Sequence, residues 1–196
     1  MFARAPLAGR VKRRLMPRLS AAQAARLHLR LTRRALRTAA AARLGPVTLH
    51  LTATHALFPR SSLQRGKDLG ERMQRALSAA LQRHRAAILI GADCPALRPA
   101  DLRRAARWLA GGCDVVLGPA EDGGYVLIAA RRVPPGLFEG IAWGTSGVFA
   151  ATAARLDAAR CRWRALRPLW DVDRPQDLER LRALRFPSMS RQCARQ

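Results

Sequence analysis

The sequence predicts an α/β protein of three layers, in which helices cover both faces of a mostly parallel sheet. Apolar runs of strand length alternate with amphipathic segments of helix length along the 196 residues, without repeats or low-complexity linkers. One apolar run, residues 86–90, leads almost directly to Asp93. Ligands of α/β proteins bind at the C-terminal ends of such strands, so Asp93 marks a candidate active site. The length and composition give no sign of a second domain. We expect one domain over residues 1–186 and a poorly ordered tail over residues 187–196.

The N-terminal third predicts a basic loop, a long helix and a strand. The loop covers residues 6–17, after which Ser20 can cap a helix over residues 21–44 that a Gly-Pro pair ends. Residues 47–53 alternate enough to predict a strand, and residues 54–66 form a loop.

The rest of the chain continues the alternation of helices and strands. Predicted helices cover residues 69–84, 99–109, 145–159 and 175–184, and predicted strands cover residues 86–90, 114–117, 125–130 and 162–166. Asp173 and Gln176 have the spacing of a capping box at the start of the last helix.

Positive charge is concentrated in the first third of the chain. The sequence has 36 Lys and Arg against 13 Asp and Glu, and residues 1–67 carry 15 basic and no acidic residues. This segment should attract anions, although the Arg and Ala excess is also typical of a GC-rich coding sequence. A nucleic-acid or anionic-membrane binder that uses the arginine face of helix 21–44 is a distant alternative, because aromatic residues are not interleaved with the cations.

The cysteines and the apolar segments bear on location. The four cysteines show no C-x-x-C or zinc-type spacing, which fits a reducing compartment. No apolar stretch approaches the 18 or so residues of a membrane span. We expect a cytoplasmic protein without a membrane span, and the sequence carries no signal for its oligomeric state.

Three carboxylates form the candidate metal site. Asp93 follows a buried strand, and Asp171 and Asp173 share one face if their backbone is extended. Such side chains suit an oxygen-preferring cation, Mg²⁺ or Mn²⁺. Each has a structural alternative: Asp93 can cap a turn, Asp171 can pair with an arginine, and Asp173 can cap a helix.

A cationic loop with a glycine turn and the start of a helix are candidate phosphate-binding segments. Clustered cations and free backbone N–H groups offset the charge of a di- or triphosphate. The candidates are Pro6, Gly9, Arg10, Lys12, Arg13, Gly70 and Arg72. The structural alternative for the loop is an ordinary basic surface loop. The alternative for the helix start is that its acidic residues complement the helix dipole.

Two further loops are candidates for binding the donor or the acceptor. The loop over residues 121–125 has two acidic side chains and a flexible glycine backbone. The loop over residues 143–145 has an aromatic ring and a hydroxyl group. The candidates are Glu121, Asp122, Gly123, Gly124, Tyr125, Trp143 and Thr145. A tight turn that joins two strands is the alternative for the first loop.

Six segments follow one another in the order seen in a known family. They are residues 2–15, 67–73, 91–95, 118–125, 143–145 and 169–178. In this order they resemble the DUF2064 family of the nucleotide-diphospho-sugar transferase superfamily. The resemblance implies a Rossmann-like glycosyltransferase-A fold.

The resemblance also implies roles for individual residues. Asp93 corresponds to the metal-binding aspartate, Asp173 to the second metal-side carboxylate, and the N-terminal loop to the nucleotide-phosphate loop. In our interpretation Asp122 or Glu121 would orient the sugar or acceptor, and the candidate catalytic residues are Asp93, Asp122 and Asp173. The chain departs from the family pattern at Arg4, Arg13 and Gly144, and few residues precede the first motif, so we expect a truncated first strand.

The resulting functional hypothesis is a transferase that depends on Mg²⁺ or Mn²⁺ and uses a nucleotide-activated donor. The preferred reaction is glycosyl transfer from a nucleotide-diphospho-sugar to a small-molecule acceptor. The alternative is nucleotidyl transfer from a nucleoside triphosphate to a phosphorylated small molecule, with release of pyrophosphate. An inactive relative of the fold is a more distant alternative, and the sequence argues against a nucleic-acid partner.

Overall fold

The protein is described from a computed structural model, and the structural statements below concern residues 1–184. The helices are α1 (Ala21–Ala42), α2 (Leu69–Leu81), α3 (Pro99–Ala110), α4 (Val148–Ala158) and α5 (Asp177–Ala183). The strands are β1 (Phe2–Ala3), β2 (His50–Leu51), β3 (Ser62–Leu63), β4 (Ala87–Ile90), β5 (Val115–Pro119), β6 (Tyr125–Ala130) and β7 (Trp163–Ala165).

The strands form two sheets rather than one. The first sheet has the order β1-β2-β3 and is parallel throughout. The second has the order β4-β6-β5-β7, in which β6 runs antiparallel to both neighbours and β7 runs parallel to β5. Strands β4, β5 and β7 therefore point the same way, and their C-terminal ends lie at one edge of the sheet.

Helices cover both faces of the larger sheet, as the sequence predicts. Along β5, Val116 packs in one core cluster with Ala35 of α1 and Leu102 of α3. Its neighbour Val115 packs in a second cluster with Leu77 of α2 and with residues of α4. Because successive strand residues point to opposite faces, this alternation separates two helical layers. The three-layer α/β class is confirmed.

Helix α1 begins where the sequence predicts. The Ser20 side chain accepts a hydrogen bond from the Gln23 backbone N at 3.2 Å, and the Gln23 side chain accepts one from the Ser20 backbone N at 2.8 Å. This reciprocal capping satisfies two backbone donors that would otherwise lack partners. The helix ends at Arg43, which is left-handed with φ 56°.

The first sheet is made of shorter strands than the sequence predicts. The predicted strand over residues 47–53 reduces to β2, and the predicted loop over residues 54–66 contains β3. The first strand is short, as expected, and it is buried. The Gln64 side-chain amide donates to the backbone O of Ala3 at 2.9 Å and of His50 at 3.0 Å. These bonds hold the short strands together.

The predicted capping box at the last helix is wrong. The Asp173 carboxylate binds Arg14 at 2.6 Å. The Asp177 carboxylate instead accepts from the backbone N of Asp173 at 2.9 Å and of Arg174 at 2.6 Å. Helix α5 therefore starts two residues after the predicted position. The predicted tail, residues 187–196, lies outside the described residues.

None of the helices within residues 1–184 is long and apolar enough to cross a membrane.

Candidate active site

The predicted carboxylates converge at the edge where β4, β5 and β7 end. Asp93 follows β4, Asp122 follows β5, and Asp171 and Asp173 follow β7. The Asp93 and Asp171–Asp173 segments, far apart in sequence, are in direct contact, because the Val172 backbone N donates to the Asp93 backbone O at 2.9 Å.

Residues 169–172 form a strap across this edge. The Leu169 backbone N donates to the Pro119 O at 2.9 Å, and the Glu121 N donates to the Leu169 O at 2.9 Å, so one end of the strap is held at β5. The bond from Val172 to Asp93 holds the other end beyond β4. The strap thus spans from β5 to β4, with Asp171 in it.

Two side-chain nitrogen atoms contact the same oxygen of Asp93. Its Oδ1 lies 2.9 Å from Lys12 Nζ and 3.2 Å from His28 Nδ1. Burial acts to raise the pKa of Asp93, but Lys12 and His28 outweigh it and hold the pKa well below its usual range. Within residues 1–184, Oδ2 has no hydrogen-bond partner, and the side chain is 40% exposed.

Asp171 lies in the opposite electrostatic situation. Burial, together with the negative charges of Asp122, Asp93 and Asp173, raises its pKa to about 6, and Lys12 offsets this only in part. No ion pair to Asp171 occurs in the described part of the chain. The cluster therefore holds more negative charge than its own cations compensate.

The chemistry of these side chains fits a hard divalent cation. As the side chains stand, residues 1–184 contain no group of three or more His, Cys, Asp and Glu arranged to hold a metal. Within residues 1–184, each of the three candidate ligands nevertheless keeps an oxygen that accepts no hydrogen bond, since the bonds to Asp93 go to Oδ1 and the bond to Asp173 goes to Oδ2. Carboxylate oxygens are the ligands that Mg²⁺ and Mn²⁺ prefer.

The N-terminal cationic loop divides into two parts. Gly9 and Lys12 are both left-handed, with φ of 75° and 52°. This turn directs Lys12 inward, where its side chain is 5% exposed and Nζ also donates to the Val172 backbone O. Arg10 and Arg13 are exposed and form no ion pair within residues 1–184, whereas Pro6 is buried. Two guanidinium groups are therefore free to meet an anion.

Gly70 and Arg72 have structural contacts. A Cβ at Gly70 would lie 2.6 Å from the Phe138 backbone O and 2.9 Å from Trp143, so the glycine lets α2 pack closely there. Arg72 donates through Nε to the Gly66 backbone O at 3.0 Å, which holds the turn before α2. Neither residue contacts the carboxylate cluster in the described structure.

Residues 121–124 form the predicted turn between β5 and β6. Glu121 binds both terminal nitrogens of Arg180, at 2.6 and 3.0 Å. Asp122 is exposed, and its Oδ1 accepts from the Gly124 backbone N at 2.9 Å. Gly123 has φ 87°, and a Cβ there would lie 2.1 Å from the Ser146 backbone O. Asp122 is therefore the acid of this turn that forms no ion pair among the described residues.

Tyr125 and Trp143 lie against the second core cluster. Their rings meet edge to face, with centroids 6.4 Å apart. Trp143 Nε1 is buried without a hydrogen-bond partner within residues 1–184. Thr145 donates to the Ala142 backbone O at 2.8 Å. These contacts position the loop that ends at α4.

His28 is a site residue that sequence reasoning missed. It lies on α1 and is 2% exposed, and it contacts both Asp93 and the backbone of Arg4. The available signal was a single histidine between Leu27 and Leu31 on the buried face of an amphipathic helix. A buried imidazole needs hydrogen-bond partners.

Comparison with known families identifies the chain. The model of DUF2064, a family described as uncharacterized proteins conserved in bacteria, matches residues 15–145. The chain belongs to the DUF2064 family. No curated protein matches this DUF2064 chain in sequence.

Solved structures resemble this DUF2064 member over nearly its whole length. A candidate nucleotide-diphospho-sugar transferase from Desulfovibrio desulfuricans G20 is 30% identical with a TM-score of 0.83, covering 98% of this chain and 89% of the other. The CMP:2-keto-3-deoxy-manno-octonic acid synthetase complexed with CTP has 15% identity and a TM-score of 0.56, covering 94% and 95%.

A manganese complex of Rv0371c from Mycobacterium tuberculosis H37Rv has 19% identity and a TM-score of 0.50, covering 92% of this chain and 95% of the other. At these low identities, the synthetase and Rv0371c show a shared fold only. The expected glycosyltransferase-A type of fold is confirmed by the likeness to the Desulfovibrio protein and by the architecture.

Proposed function

We propose that this chain is a metal-dependent transferase that uses a nucleotide-activated donor and transfers a glycosyl group from a nucleotide-diphospho-sugar to a small-molecule acceptor. The observation that carries the proposal is a cluster of carboxylates with uncompensated negative charge beside the N-terminal loop, whose Arg10 and Arg13 form no ion pair within residues 1–184. The 30% identical Desulfovibrio protein, described as a candidate nucleotide-diphospho-sugar transferase, supports the donor class.

The metal in this proposal is Mg²⁺ or Mn²⁺, held by Asp93, Asp171 and Asp173. When bound, such an ion neutralises the charge of the donor phosphates. Asp171 is the ligand that gains most, because its charge is the least compensated in the cluster.

The chain's own cations act on the leaving group. As the bond between the sugar and the diphosphate breaks, negative charge develops on the phosphate oxygens. Arg10 and Arg13 are exposed and can donate charge-assisted hydrogen bonds to those oxygens. Asp122 would orient a hydroxyl of the sugar or of the acceptor, because Glu121 is already engaged with Arg180.

Nucleotidyl transfer is the second candidate, and it is favoured by the number of cations in the N-terminal loop. Lys12 and Arg14 are engaged with Asp93 and Asp173, however. The two arginines that remain match the two phosphates of a nucleotide sugar better than the three of a nucleoside triphosphate. This count supports glycosyl transfer as the first choice.

A thermal-shift screen separates the two reactions. Nucleoside triphosphates and nucleotide sugars are each tested with and without Mn²⁺. We expect one nucleotide sugar with Mn²⁺ to raise the melting temperature by about 5–10 °C at a concentration about a hundred times its Kd. The Asp93→Asn variant should lose this shift.

The matched control is Asp157→Asn, an exposed aspartate that accepts a hydrogen bond from Trp163 Nε1 at 2.7 Å, which the amide oxygen can still accept. It should keep the full shift. A shift given only by triphosphates would instead establish the nucleotidyl alternative. Salt-sensitive retention of RNA that Asp93→Asn leaves unchanged, with no nucleotide effect, contradicts both reactions.

A further inference from the structure

His28 lies beneath Asp93 and joins three parts of the site. Its ring is 2% exposed, with Nδ1 3.2 Å from Asp93 Oδ1 and Nε2 3.0 Å from the Arg4 backbone O. Arg4 directly follows β1, Asp93 follows β4, and His28 itself belongs to α1. The imidazole thus links the two sheets to the helix at the edge where the carboxylates converge.

Both partners of the ring are hydrogen-bond acceptors. A backbone carbonyl accepts only, and so does an ionised carboxylate. The contact with the Asp93 carboxylate is a hydrogen bond when Nδ1 carries a hydrogen, and the second contact, with the Arg4 carbonyl, orients the ring.

The two donors bind the same oxygen of Asp93. Lys12 Nζ lies 2.9 Å from Oδ1, and His28 Nδ1 lies 3.2 Å from that same atom. Lys12 is fixed in turn by the Val172 backbone O, and His28 by the Arg4 backbone O. Oδ2 accepts no hydrogen bond within residues 1–184, and the Asp93 side chain is 40% exposed. Two fixed donors on one oxygen restrict the rotation of the carboxylate.

We propose that His28 is a positioning residue that, with Lys12, holds Asp93 through Oδ1 and presents Oδ2 to the metal ion and donor of the reaction. The inference rests on the proposed function. It assigns a role to a residue of α1 that does not itself touch the ligand, as outer contacts of metal-binding side chains commonly do.

Two isosteric substitutions separate the two hydrogen bonds of the ring. In His28→Asn the amide nitrogen lies near the position of Nδ1 and can still donate to Asp93. In His28→Gln it lies near Nε2 and can donate only to Arg4. We expect His28→Asn to bind Mn²⁺ alone within about threefold of wild type, and His28→Gln and His28→Leu to bind it at least about tenfold more weakly. Equal losses in the Asn and Gln variants overturn the proposal.

Thr32→Val is the control for damage to α1. Thr32 is 1% exposed, lies one turn after His28, and donates through Oγ1 to the His28 backbone O at 2.9 Å. The variant should lower stability and leave Mn²⁺ affinity unchanged. An affinity loss as large as that of His28→Gln would show that helix distortion, not the contact with Asp93, controls binding.

Ring nitrogen NMR tests the contact without any metal. In wild type we expect a hydrogen on Nδ1 of His28 that is bonded to the Asp93 carboxylate, and in Asp93→Asn that hydrogen bond to a carboxylate should be absent. A wild-type Nδ1 without a hydrogen refutes the proposal.

The binding results separate the two proposals. If wild type binds no Mn²⁺, the metal part of the proposed function fails, and the variants are ranked by nucleotide-sugar thermal shift instead. If neither ligand binds, the proposed function fails as a whole, while the ring spectrum still decides whether His28 holds Asp93.

Discussion

The two ends of the four-stranded sheet carry acidic residues in opposite electrostatic states. At the end where β5 begins, Asp114 is buried, and its Oδ2 accepts from the Arg162 backbone N at 3.0 Å and from Arg132 at 3.3 Å. The Arg132 bond, against an opposing effect of burial, lowers the pKa of Asp114. At the other end burial and neighbouring carboxylates raise the pKa of Asp171 to about 6.

The difference separates a structural carboxylate from a candidate ligand. The Asp114 carboxylate is paired with Arg132 and accepts from the Arg162 backbone N, so the folded state gains from its ionisation. Asp171 lies near three other carboxylates and forms no ion pair within residues 1–184, so its ionisation destabilises the folded state. Proteins accept such a cost at sites that a ligand completes.

The largest expected effect on stability is at the end of the sheet where β5 begins, at Asp114. Asp114→Ala should lower the free energy of unfolding by about 2 kcal/mol, because it leaves the Arg162 backbone N–H without its acceptor and removes the partner of Arg132. Urea denaturation measures it. A change below about 0.5 kcal/mol would show that Asp114 does not stabilise the folded state and that the two ends do not differ in this respect.

At the end of the sheet that carries the candidate site, the change in the free energy of unfolding should have the opposite sign. Asp171→Asn should raise the free energy of unfolding by about 1 kcal/mol at pH 7, since it removes a charge that its neighbours oppose; partial exposure reduces the effect below the full pKa shift. The same variant should lose the Mn²⁺-dependent thermal shift. Destabilisation in urea would show that Asp171 has a structural role like that of Asp114.

The pH dependence should also differ between the two ends. For Asp171 the folded pKa, about 6, lies above the unfolded value of 3.8, so its contribution to stability is lost as the pH rises through this window. The stability gain of Asp171→Asn should therefore vanish as the pH is lowered from 7 to about 4. For Asp114 the folded pKa is depressed, and its contribution is lost as the pH falls below 3.8. Urea midpoints of the three proteins across pH 3–7 test both signs.

The smallest effect is expected at the surface pair of the site. Arg14 is 66% exposed in its contact with Asp173, and exposed pairs contribute little, so Arg14→Gln should change stability by less than about 0.5 kcal/mol. Its Mn²⁺ affinity should rise slightly, because both oxygens of Asp173 become available. An affinity that falls would indicate that Arg14 helps to shape the site.

The sequence predicts the convergence of the site because that convergence follows from strand direction. Asp93 and Asp122 come after parallel strands, and such ends meet at one edge whatever the details of packing. The metal, phosphate and donor roles assigned to these loops stay predictions. The family motifs predict the order of these loops along the chain, but they do not predict which side chains contact one another.

Contacts between distant segments could not be predicted. Lys12 reaches Asp93 only because its own backbone is left-handed, which residue type does not indicate. Asp173 fails as a helix cap because Arg14, 159 positions away, takes its carboxylate. His28 follows the apolar period of α1 and is indistinguishable from core until Asp93 packs against it.

Amide hydrogen exchange at the strap over residues 169–172 can report whether the site is occupied. On either side of Asp171, the Glu121 amide hydrogen bonds to the strap at the Leu169 backbone O, and the strap's own Val172 amide hydrogen bonds to the Asp93 backbone O. Anything that anchors Asp171 should slow deuterium uptake at both amides together, because neither can open while the crossing is fixed. Two backbone amides outside the carboxylate cluster, at Glu121 and Val172, would thus report occupancy of the site.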